Sequence, residues 1–174
     1  MDFLNDIAAW AWARHHNLLS WYIRPLFLLP FCYFAYRRSG KGIALTVIAL
    51  ATSMFWFPAP AQPDPRAIEM LEAEREYLLG AWTLWKVAIA LLVPVGLGTL
   101  ALAFWKRSVW YGVALINAMV LFKIGWTFAF AEAEGALLHL LPALLGLLVC
   151  NGVLVMVLRW VQRRATLSPA QVES

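Results

Sequence analysis

Five long apolar runs, at residues 17–36, 42–57, 78–105, 109–131 and 136–158, constrain this chain more than any other feature, and each is bounded by charge or by proline. Crossing the ~30 Å hydrocarbon core of a bilayer takes about 20 mostly apolar residues of α-helix. Hydrocarbon offers no partner to a backbone N–H or C=O, so a spanning segment must satisfy its own. The chain is 63% hydrophobic and only 14% charged, against ~25% charged for a soluble domain. A water-soluble globule of this length could not cover its surface with so few polar groups. The fold class that follows is an all-α integral membrane protein, a bundle of five transmembrane helices with short amphipathic helices on its outer surface. Residues 1–164 form a single membrane domain, and residues 165–174 read as a disordered tail.

Charge orients the bundle. Arg37, Arg38, Lys41, Lys106, Arg107, Arg159, Arg163 and Arg164 close alternate ends of the runs, and only Arg14, Arg66 and Arg75 stand at the opposite ends. By the positive-inside rule the basic end is cytoplasmic. Nine of the ten acids then fall outside, with Glu173 alone inside. An odd number of spans puts the N-terminus outside and the C-terminus in the cytoplasm, so the chain reads as a multi-pass protein of the inner membrane of a Gram-negative-like bacterium. The net charge of +4 is spread over helix ends rather than along one face, which excludes nucleic acid as a partner. The lipid bilayer is the partner instead. Cys32 and Cys150 sit inside apolar runs and read as buried thiols, not a disulfide. No internal repeat stands out.

Outside the spans, residues 1–16 place Phe3, Leu4, Ile7, Trp10 and Ala11 at helical spacing, which predicts a short interfacial helix. In the outer loop, residues 58–77, a proline-rich turn leads to Asp64 at an N-cap position with Pro65 at the first helical position. A surface helix follows, with Ile68, Leu71 and Leu78 on one face.

Three ionisable residues fall inside the spans: Arg24, Lys86 and Lys123. Burying such groups is costly, and they mark ligand sites by default. Counted from the outer helix ends they lie roughly 6 to 8 residues deep, about 9 to 12 Å at 1.5 Å per residue. No carboxylate shares that depth, so their partners would be carbonyls, aromatic faces, an inward-folded Glu76 or Glu132, or a bound anion. Trp82 and Thr83 share a face with Lys86, and Trp126 and Thr127 share one with Lys123. Together with Arg24 these residues outline an outward-opening cleft for an anionic or amphipathic small molecule. The alternative is that the long lysine stems snorkel to the interface and pair structurally.

Other polar features are weaker. Asn117 and Asn151 lie at matching depth, about 11 Å from the cytoplasmic end, where a mutual hydrogen bond would join two helices. Pro94 removes the hydrogen bond to Ala90 and predicts a kink. His15, His16 and His139, with Glu132 and Glu134 near in height, could hold a metal, but their spacing matches no known ligand pattern. No cofactor follows from the sequence. Nor does any catalytic motif. Three functional readings remain: a binding or transport protein for an anionic or amphipathic molecule; a non-catalytic subunit or assembly factor that packs against partner membrane subunits or its own copies; and a membrane enzyme acting on lipid through His139, Glu132 or Glu134.

Overall fold

The computed structural model describes residues 2–130 and 133–167, with side chains throughout except at residues 2, 4, 129, 130, 133–139, 158 and 160–167. Every regular element among the described residues is helical. After α1 (Asp2–His15), the first apolar run is split into α2 (Leu18–Ile23), a tight 3-10 turn (Arg24–Phe27) and α3 (Leu28–Tyr36). The split replaces the single uninterrupted helix expected over 17–36. Pro25 is the cause: it has no N–H to return to Trp21, and its ring crowds the preceding turn. Pro94 behaves differently. It sits inside α6 (Leu84–Trp105), which is helical without interruption across it.

Among the described residues, four helices are long and apolar enough to cross a membrane: Leu18–Tyr36, Leu84–Trp105, Val109–Phe128 and Leu140–Val157. The count expected from the sequence was five. The remaining run is the shorter apolar helix Gly40–Phe55, made of α4 (Gly40–Thr52) and a 3-10 turn (Ser53–Phe55), about 24 Å long at 1.5 Å per residue. Pro58 and Pro60 prevent its extension. Its end is nevertheless tied to the start of the first run. The Arg14 Nη1 group donates to the carbonyls of Phe55 (3.3 Å) and Phe57 (3.1 Å), and Asn17 Nδ2 donates to that of Pro58 (2.9 Å).

Helix α5 (Pro65–Leu79) is longer than the expected surface helix, and α6 starts later than the expected span at 78. Gly80 stops α5, and the Thr83 hydroxyl caps α6 by accepting from the Lys86 N–H at 3.3 Å. Helix α7 covers Val109–Phe130, and residue 131 lies outside the described ones. Helix α8 (Ala133–Leu167) runs past the expected end of its span and takes in the first three residues of the supposed tail. Arginine and alanine at 163–165 favour helix. Residues 168–174 lie outside the described ones.

Four members close on one another: α3 packs on α6, α6 on α7, α7 on α8, and α8 returns to α2 and the 24–27 turn. Helix α4 lies outside this ring against α3. The core joins Phe31, Cys32 and Ala35 of α3 to Leu100 and Phe104 of α6 and Ile116 of α7. A second cluster at the opposite end seats Ala67 and Leu71 of α5 on Trp21, flanked by Trp12 and Leu18. Both cysteines are buried and unbridged. Within the apolar windows of α6, α7 and α8 only 17%, 11% and 17% of residues are buried inside the protein, so broad apolar faces point outward.

The two turns at the end away from α5 share one geometry. After α3, Arg38 adopts φ 55°, its N–H reaches the Ala35 carbonyl, and the Ser39 N–H reaches that of Phe34, 2.9 Å each. After α6, Arg107 adopts φ 60°, its N–H reaches Phe104, and the Ser108 N–H reaches Ala103, again 2.9 Å each. Both are Schellman closures with arginine in the left-handed position usually held by glycine. The underlying repeat, Tyr-Arg-Arg-Ser at 36–39 and Trp-Lys-Arg-Ser at 105–108, is too short to register as an internal repeat. The turns also grip each other: Arg38 Nε donates to the Trp105 carbonyl at 3.1 Å, and the Arg107 guanidinium lies 4.7 Å from the Tyr36 ring centre.

Two predictions follow from these contacts. A Cβ at Gly146 would overlap the rigid Pro25 ring, whereas one at Gly152 meets open space. Gly146→Ala should therefore lower unfolding stability in mild detergent by about 1–3 kcal/mol, with Gly152→Ala neutral or stabilising by up to ~1 kcal/mol, read by tryptophan fluorescence. At the start of α5, Asp64 accepts from the Arg66 N–H (2.9 Å) and pairs with its guanidinium (2.9 Å). These bonds, the side-chain one first, hold the Asp64 carboxyl below the usual carboxylate range. A depressed folded value means that stability is present above the ordinary carboxylate value of ~4 and lost as pH falls through the depressed one. Amide protection at 66–68, relative to the unfolded rate at the same pH, should fall in acid, and Asp64→Asn should remove that dependence.

Candidate binding site

The three span cations separate into two groups. Lys86 is the third residue of α6, in its first turn, so it is not as deep as a span beginning at 78 implied. Its side chain is 6% exposed. The Nζ group donates to the carbonyls of Tyr77 and Gly80, the latter at 3.1 Å. It also lies 4.5 Å from the Tyr77 ring centre and 4.8 Å from that of Trp82. Helix α5 thus has its last carbonyls satisfied by a cation from the next helix, which suits the negative end of its dipole. Trp82 donates to the Leu78 carbonyl at 3.2 Å, and Thr83 serves as the cap of α6. These three residues build the α5–α6 junction.

Arg24 and Lys123 are electrostatic neighbours. Arg24 is the last residue before Pro25, at the end of α2, and Lys123 belongs to α7. Glu74 of α5 lies within electrostatic reach of both, and they lie within reach of each other. His15 connects the group to α1. Arg24 Nη2 stands 2.9 Å from His15 Nδ1, and His15 Nε2 stands 3.8 Å from Glu74 Oε2. A guanidinium only donates, so Nδ1 accepts and the ring hydrogen is assigned to Nε2, facing the carboxylate. His15 is 4% exposed, lies beside the rings of Trp12 (5.7 Å) and Trp21 (6.3 Å), and accepts the Trp21 indole N–H at its carbonyl, 3.1 Å. Lys123 is exposed on the flank of the bundle. The Thr127 hydroxyl donates to the Lys123 carbonyl at 2.9 Å, and Trp126 stacks on Phe122 at 6.1 Å.

The result is a cluster at the α5 end with two permanent cations and one carboxylate among its described members. Its inner side is closed by aromatic rings and its flank is open at Lys123. That chemistry suits a small anion whose apolar part lies along the exposed faces of α7.

The sequence offers an inward-folded Glu76 or Glu132 among the possible partners of these cations; among the described residues Glu74 is the carboxylate beside them. Ala67, Leu71 and Glu74 follow helical spacing on the docking face of α5, so Glu74 is the charge that interrupts an apolar stripe. That interruption was the available signal. His15, expected only as a possible metal ligand, is a hydrogen-bonding member of the cluster. His16 Nδ1 contacts the Trp12 carbonyl at 2.9 Å, and the side chains of His139, Glu132 and Glu134 fall outside the described residues. Among the described residues no three metal-ligating side chains gather. Asn117 and Asn151 exchange two side-chain hydrogen bonds of 3.0 Å each, and Asn117 also donates to the Val113 carbonyl. This pair joins α7 to α8 away from the cation cluster.

A shallow open groove of ≈ 660 Å³ runs between His16, Asn17 and Leu18 on one side and Pro60, Gln62 and Pro63 on the other. Its charged residues, Asp64 and Arg66, pair with each other. No protein-family model, curated protein or solved structure matches the chain.

The Lys86 contacts generate a direct expectation. Lys86→Met keeps the stem and removes the charge, leaving the end of α5 uncapped. Hydrogen exchange at 76–80 should speed by a factor matching about 1–3 kcal/mol, with the rest of the bundle unchanged.

Proposed function

We propose that this chain is a five-span inner-membrane protein, N-terminus outside and C-terminus cytoplasmic. The cluster of Arg24, Lys123, His15 and Glu74 binds the anionic head of an amphipathic small molecule, either to hold it or to pass it across. The observation that carries this reading is that Arg24, hydrogen-bonded to His15, and Lys123 both lie within electrostatic reach of the one carboxylate Glu74 at the α5 end. In a bilayer such a charge excess is costly unless a ligand or ion answers it. The open flank at Lys123 gives a lipid-like molecule a lateral route to the head site, and the outward apolar faces of α6, α7 and α8 supply the surrounding.

The fifth crossing rests on the Gly40–Phe55 helix. Its end is tied by Arg14 and Asn17 to the start of the first run, so both ends of the hairpin share the same two levels. The shortfall of about 6 Å against a 30 Å core is within what local thinning and snorkelling absorb. The distribution of lysine and arginine described above supports the orientation.

The test is native mass spectrometry of the protein released gently from its own membrane. Wild type should carry an anionic amphiphile, and Lys123→Ala should lose it at least tenfold (~1.4 kcal/mol) while Lys123→Arg retains it. An adduct unchanged in Lys123→Ala overturns the site. The breadth of the outward apolar faces also favours a second reading, a non-catalytic subunit docked on other membrane helices. An accompanying polypeptide without an adduct in the same spectrum would select it.

A further inference from the structure

At the end of the bundle opposite α5, the two Schellman turns bring five cations together: Arg37, Arg38 and Lys41 from one, Lys106 and Arg107 from the other. All five are exposed. The turns are locked to each other by Arg38 on the Trp105 carbonyl and by Arg107 on the Tyr36 ring, so these charges are held side by side rather than spread on mobile loops. No acid lies within either turn or in the helices that lead into and out of them, α3, α4, α6 and α7. A positive group this dense, with no acid in the elements that carry it, suits an anion from outside. Trp105 and Trp110 flank it, 37% and 64% exposed, and tryptophan at this position settles at the headgroup level of a bilayer.

We propose that the paired turns, residues 36–39 and 105–108, form a seat for the phosphate headgroup of an anionic phospholipid in the cytoplasmic leaflet. Arg38 and Arg107 frame the seat while serving the fold. Arg37, Lys41 and Lys106 supply the remaining charge and have no fold contact that their loss would break. Basic clusters at the cytoplasmic ends of membrane helices recognise acidic headgroups in this way. The proposal rests on the membrane-spanning reading above but not on the ligand at the α5 end.

The experiment titrates the purified full chain in mild detergent with phosphatidylglycerol or phosphatidylcholine and counts retained lipids by native mass spectrometry. Wild type should retain phosphatidylglycerol in preference to phosphatidylcholine. The triple variant Arg37→Gln, Lys41→Gln, Lys106→Gln should bind phosphatidylglycerol on the order of a hundredfold more weakly, with phosphatidylcholine unchanged. The charge-conserving triple Arg37→Lys, Lys41→Arg, Lys106→Arg should bind as wild type does. Equal retention of the two lipids by wild type, undiminished phosphatidylglycerol in the glutamine variant, or loss in the charge-conserving variant overturns the proposal. Retention of neither lipid by wild type overturns the membrane reading beneath it.

Discussion

Pro25 has no amide hydrogen to give, and the α5 end of the bundle is arranged around that deficit. The first apolar run cannot continue as one α-helix, so it tightens into the 24–27 turn and restarts at Leu28. The turn's ring presses on Gly146, where only a hydrogen fits, and its carbonyl faces the Cys150 thiol at 3.6 Å. Those contacts fix where α8 lies against the first run. They also fix Arg24, the residue immediately before the break, whose side chain turns back toward His15 rather than into the middle of the bundle. A helix that ran straight through 17–36 would have carried the guanidinium elsewhere.

From that point the charges are distributed by where helices start and stop. Lys86 serves α5 because α6 begins at Leu84, which puts the ammonium in reach of the carbonyls left over at Tyr77 and Gly80. Lys123 stands seven residues before Phe130 in α7 and lies within electrostatic reach of Arg24 and Glu74. Two lysines of similar apparent depth in the sequence therefore hold different positions: one completes a backbone, the other leaves a charge at the flank of the bundle.

Much of this architecture is legible in the residues themselves. Continuous apolar runs announce helices. The Asp64-Pro65 pair announces the start of α5, and equal depth announces the meeting of Asn117 with Asn151. Element ends were harder where a polar residue served a cap rather than a span: Thr83 looked like part of a cleft because hydropathy does not distinguish the last link residue from the first helical one. Convergence was harder still. Arg24, His15, Glu74 and Lys123 come from four separate elements, and no local pattern states that α5 folds over α2. Only the position of Glu74 on the same helical face as Ala67 and Leu71 carried a trace of it. The matched turns share only four residues of similar type in the sequence, while the geometry that makes them equivalent lies in two left-handed arginines.

Those interlocked turns bear on how the protein is made. Residues up to 57 can form the α3–α4 hairpin as soon as they leave the ribosome, since its contacts are local. The Arg38 side chain, however, finds its carbonyl on Trp105, sixty-seven residues later in the chain, and the Tyr36 ring waits for Arg107. The clasp can close only between two hairpins that already exist, each with its own turn formed. Assembly is thus the docking of finished units, as domains assemble during synthesis, and the order of translation is written into which residue holds which.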